Sequence, residues 1–182
     1  MAEITVENVR FRIVGAYLRV NEPFNEATVP DPGFQIPPFF DIPALTFNYD
    51  GAAPTIEDYM KGLQTRLQTD DFVFDFDGLD DPMKPPRRIL QNVRFGKKGD
   101  TLFELNAGIL KPETAKTPAL GTAWQYYLFD LSGGGDVRQE VVGRAGFNQT
   151  VVKSNMRIIW RLISTYLNKD SSQLQLLSRL KY

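Results

Sequence analysis

The chain has 182 residues, a formal net charge of −1, 42% hydrophobic and 24% charged residues, a composition that supports one folded domain with its own core rather than a disordered chain. Cysteine and histidine are both absent, which excludes a disulfide framework, a thiolate nucleophile, a zinc site of the Cys/His kind and any Ser-His-Asp or Cys-His relay. Catalysis would have to run on Asp, Glu, Lys or Tyr, without the side chain that titrates nearest neutral pH.

Residues 3–20, EITVENVRFRIVGAYLRV, are rich in β-branched and aromatic residues and read as one long bent strand or two short ones. Ile4 and Val6 alternate on one face, then the apolar positions shift to Val9, Phe11 and Ile13, the one-residue phase change of a β-bulge. Residues 21–44 are an extended arm or lid: six of the twelve prolines fall between Pro23 and Pro43, with Phe24, Phe34, Phe39 and Phe40 among them. Proline removes backbone donors, so this stretch is neither helix nor central strand. Strand character returns at 44–49, ALTFNY.

Thr55 with Asp58 three residues on forms a capping box, and Ile56, Met60, Leu63 and Leu67 make one helical stripe, so a helix is expected over 55–68. DFVFDF at 71–76 alternates with Phe72, Phe74 and Phe76 on one face. Two hairpins follow: RRILQNVRF with TLFELNAGIL through the link GKKGD, and TAWQYYLFDL with VRQEVVGRAGF through SGGGD. At the end, Val152, Met156, Ile159, Trp160, Ile163 and Leu167 fall at helical spacing, which predicts a second helix over 151–168. QLQLLSRLKY near the C-terminus reads as a short helix, with an edge strand as the alternative. The expected fold is therefore a single α+β domain over 1–182: a mainly antiparallel sheet or partial β-barrel of meander hairpins, two flanking helices and the 21–44 arm.

The acids Asp75, Asp77, Asp80 and Asp81 crowd around Gly78 and are the candidate metal ligands, for calcium only and weakly, since the spacing is not that of an EF-hand loop and a solvated strand end accounts for the run as well. SGGGD lacks the Gly-Lys-Ser/Thr of a phosphate loop and reads as a hairpin link. KPPRR (84–88) and GKKGD (96–100) are short and separate, so no specific nucleic-acid partner is expected. No cofactor motif is present. No apolar run reaches the ~18 residues of a membrane helix, and the start, MAEITVENVR, lacks the apolar core of a secretory signal; the expected location is the cytoplasm or an assembled particle.

Charge is polarised along the chain. Residues 21–81 hold thirteen acids and two bases, a net −11; residues 138–182 hold eight bases and two acids, a net +6. Two halves that pair within one chain would account for this, and so would head-to-tail contacts between copies. Two readings follow. In the first, the chain is a non-catalytic subunit of a larger homo- or hetero-oligomer, as in a viral particle or an injection or secretion machine, with Phe24, Phe34, Phe39 and Phe40 as anchors in other subunits. In the second, the sheet closes into a barrel around an apolar small molecule, as a cofactor-free cyclase or isomerase with residues 21–44 as lid.

Overall fold

A computed structural model describes residues 3–15, 40–81, 84–111, 114–115, 119–133, 141–142 and 145–167. In chain order the elements are β1 (Glu3–Gly15), β2 (Phe40–Asp50), α1 (Ile56–Gln68), β3 (Phe72–Asp80), β4 (Arg88–Lys97), β5 (Phe103–Asn106), β6 (Gly108–Lys111), β7 (Ala119–Asp130), β8 (Val141–Val142) and β9 (Met156–Leu167). A large sheet runs β2-β1-β9-β7-β6, with β8 paired to β7, and a small sheet runs β3-β4-β5. All pairs are antiparallel except β1 with β9.

The phase change expected in β1 is a bulge. Between Val6 and Val9 the strand advances three residues while β2 advances two, from Phe47 to Leu45. Asn8 takes φ of 53° there, a left-handed conformation that asparagine tolerates better than most residues. The bulge keeps Val6, Val9, Phe11 and Ile13 all buried on one face. The capping box forms as read: the Thr55 hydroxyl accepts from the Asp58 amide at 3.2 Å, and the Asp58 carboxylate accepts from the Thr55 amide at 2.9 Å.

Helix α1 and the small sheet form one layer against the core face of the large sheet. Tyr59 of α1 is fully buried and donates to the Val9 carbonyl at 3.2 Å. Phe11 of β1 meets Phe74 of β3 edge-on at 5.7 Å, and the Trp124 indole of β7 donates to the Gln91 carbonyl of β4 at 3.1 Å. The chain passes from one sheet to the other at Ala107, between β5 and β6. Buried Thr122 bridges that break, donating to the Asn106 carbonyl at 2.9 Å and accepting from the Gly108 amide at 3.0 Å. Two orphaned backbone groups are thereby satisfied.

Three expectations are corrected. The segment 151–168 is not a helix: residues 156–167 are β9, a central strand between β1 and β7. Ile158, Trp160 and Leu162 face the core, while Ile159 and Arg161 are buried on the opposite face. A strand buried on both sides shows no polar alternation, and an unbroken apolar run can match a helical stripe by chance. Neither sheet closes into a barrel; each ends on open edges among the described residues, β2 and β6 in the large sheet and β3 and β5 in the small one. Finally, residues 40–44 of the proline-rich segment belong to β2, with Pro43 at a second register shift, where β2 advances three residues for two of β1. Residues 21–39 and 172–182 lie outside the described residues. No helix among the described residues is long and apolar enough to cross a membrane.

Candidate functional site

The end of the β1–β2 pair is where the proline-rich segment leaves and rejoins the sheet. Ile13 and Phe40 are direct cross-strand partners, so a turn of a few residues could join the two strands. The chain instead spends residues 16–39, among them five prolines, on that connection. Phe40 itself is placed in the core of its own chain. It is 8% exposed and stacks with Phe72, Phe74 and Phe95 at centroid distances of 5.1, 5.5 and 4.9 Å. As a free anchor for another subunit it is therefore corrected: its ring is already spent on the seam between the two sheets. Phe24, Phe34 and Phe39 lie outside the described residues.

The acidic run is distributed among arginines. Asp75 accepts from Arg94 of the neighbouring strand at 2.6 Å and from Gln64 of α1 at 2.9 Å. The Arg94 hydrogen bond holds the Asp75 carboxyl below its ordinary value, against a smaller opposing effect of burial. Asp80 pairs with Arg88 at 3.2 Å, and Asp81 with Arg87 at 3.9 Å. Asp77 stands exposed opposite Asn92. Strand pairing thus sets guanidinium groups against three of the four expected calcium ligands. Among the described residues no group of three or more Asp and Glu is arranged to hold a metal ion.

Arg88, read from sequence only as part of a short basic group, is the most connected of these cations. It pairs with Glu57 of α1, donates to the Gly78 carbonyl at 2.9 Å, and lies over the Phe147 ring at 5.8 Å. Its backbone amide donates to Asn148 at 2.8 Å. Glu57 also pairs with Lys61, one turn on, at 3.1 Å. The tyrosines near α1 are held in their protonated form. Burial, reinforced by the charge on Asp58, pushes Tyr49 up to about 12, and burial pushes Tyr59 higher still.

The outer face of the large sheet, turned away from the small sheet, carries an ordered charge pattern. At one end Glu3 of β1 is the direct partner of Asp50 of β2. Seven residues further along β1, Arg10 is the direct partner of Arg157 of β9. The next outward position, Arg12, pairs with Asp41. Beyond it Arg161 is buried with its guanidinium 4.2 Å from the Tyr127 ring centre. Between the two like-charged pairs lie Thr5, Glu7 and Asn48, all exposed.

No family model, no curated protein and no solved structure matches this chain.

Proposed function

We propose that this chain is a non-catalytic subunit that assembles with copies of itself or with other subunits, and that residues 16–39 engage a neighbouring subunit. The observation that carries the reading is the connection between β1 and β2. Its two ends are already side by side, as Ile13 and Phe40, so its length and its Pro/Phe-rich sequence serve no need of the sheet itself. Proline lowers the entropy lost when such a segment is held, and phenylalanine supplies anchoring area. Strand β2, eleven residues long, is an edge strand among the described residues, lies beside the same point, and as an edge would offer backbone groups to a partner strand.

The test is a chain in which residues 18–37 are replaced by a short Gly-Ser turn, compared with the natural chain by light scattering and thermal melting. The expected result is a multimer for the natural chain, and a monomer with an almost unchanged melting temperature for the shortened one. A natural chain that is monomeric at high concentration, or a shortened chain that keeps its association state, overturns the proposal.

A further inference from the structure

We infer that the outer face of β1, β2 and β9 is a self-complementary contact, by which two copies of this chain pair face to face about a twofold axis. The inference rests on the assembly reading above and names one of its contacts.

Like charges set directly opposite each other on neighbouring strands are destabilising. This face has two such pairs, of opposite sign: Glu3 with Asp50, and Arg10 with Arg157. None of the four side chains has an ion pair among the described residues, and Glu3, Arg10 and Asp50 are exposed. Among the described residues nothing offsets either pair. Nearby, by contrast, Arg12 of β1 is matched to Asp41 of β2.

The two pairs share one face of the sheet and flank β1 on opposite sides, toward β2 and toward β9. At about 3.3 Å per residue they are separated by roughly 20 Å. A twofold axis between two facing copies, at right angles to the line joining the pairs, lays the acidic pair of each copy over the basic pair of the other. Each of the four paired charges then meets its opposite, and does so twice, which is the reciprocity of an isologous interface, while exposed Glu7 lies near the axis and faces its own copy. The polar residues between the pairs make this a wet, salt-sensitive contact rather than an apolar one. A head-to-tail stack is the competing geometry. It would set the arginines against the outer face of the small sheet, where Asp75, Asp77 and Glu104 stand around Arg94.

Charge reversal separates these cases. Variant A carries Arg10→Glu and Arg157→Glu, so both of its like-charged pairs are acidic. Variant B carries Glu3→Lys and Asp50→Lys, so both of its like-charged pairs are basic. All four positions are on the sheet surface, and circular dichroism and melting verify that each variant is folded. Sedimentation equilibrium is run on each alone and on an equimolar mixture, at low salt and in 1 M salt. The expected result is self-association weakened at least ~100-fold in A and in B, as juxtaposed like charges require, and restored in the mixture as an A–B pair that 1 M salt dissociates. If B associates like the natural chain while A does not, the contact is head-to-tail and the twofold face is wrong. If both variants associate like the natural chain, this face is not a contact, and the assembly reading stands on the 16–39 segment alone. If the natural chain is monomeric, both fall together.

Discussion

A methyl group on Gly78 would lie 2.6 Å from the ring tip of Phe147 and 3.2 Å from the Arg88 guanidinium. Phe147 is 1% exposed and is held edge-on against Trp160 at 5.9 Å, so the ring has nowhere to go. Gly78→Ala is therefore expected to lower stability by about 1–3 kcal/mol in urea unfolding. The tyrosines set an alkaline limit. Tyr49 titrates at about 12 in the folded chain against 10.0 for an ordinary tyrosine. The folded state thus holds this proton more tightly, so the contribution is complete below pH 10 and is lost as pH rises toward 12. The Tyr49 hydroxyl is also buried without a hydrogen-bond partner among the described residues. Tyr49→Phe is expected to keep or slightly raise stability at neutral pH, by up to about 1 kcal/mol, and to move alkaline unfolding to higher pH. An alkaline transition that does not move would assign it to other groups, such as Tyr59.

Strand β9 is the element on which the large sheet depends, since it lies between β1 and β7 and is buried on both faces. Its Trp160 is 2% exposed and meets Trp124, Tyr126 and Phe147 at 6.3, 5.1 and 5.9 Å. Trp160→Ala is expected to cost about 3–5 kcal/mol, read from chemical denaturation. Hydrogen exchange separates strand from helix here: amides from Ile158 to Leu162 should be among the slowest to exchange, together with those of β7. The bulge in β1 and the capping box of α1 were both legible from residues three or four apart. β9 was not, because its true period is hidden by burial on both faces, while Val152, Met156, Ile159 and Ile163 happen to fall at helical spacing. The β-branched and aromatic content of MRIIWRLISTYL was the signal that favoured a strand.

In the whole molecule, Arg88 joins the layers. It links Glu57 of α1, Asp80 and Gly78 of β3, and the turn at Asn148. Glu57 is 6% exposed, and removing its main partner leaves a buried carboxylate with Lys61 alone. Arg88→Ala is expected to cost about 2–3 kcal/mol, somewhat below a fully buried pair because the guanidinium is part-exposed. A Glu57→Gln, Arg88→Met double variant should recover part of that loss; simple additivity of the two single changes would show that the pair is not coupled. The charge polarity read along the chain is in part resolved at this scale. Arg87, Arg88 and Arg94, which belong to neither polar segment, take up Asp81, Glu57 with Asp80, and Asp75. Among the described residues, the like-charged neighbours Glu3 with Asp50 and Arg10 with Arg157 on the outer face of the large sheet stay unmatched.

Local chemistry determined much by itself. The lack of cysteine and histidine removed whole classes of site, and the phase of apolar residues in β1, the cap at Thr55 and the alternation of Phe72, Phe74 and Phe76 each specified a structure from neighbours within a turn or a few strand residues. These signals work because the forces that set them, backbone hydrogen bonds and side-chain direction, act over that range. The sheet order was decided only by tertiary structure. Placing β9 between β1 and β7 brings Arg10 beside Arg157, and Asn8 within 2.8 Å of Asn155, across 147 residues of chain. The same folding put Phe40 into the core, gave Asp75 to Arg94 and left the sheets open. Each outcome follows from which apolar faces can be buried together, a property of the whole set of strands that no single segment contains.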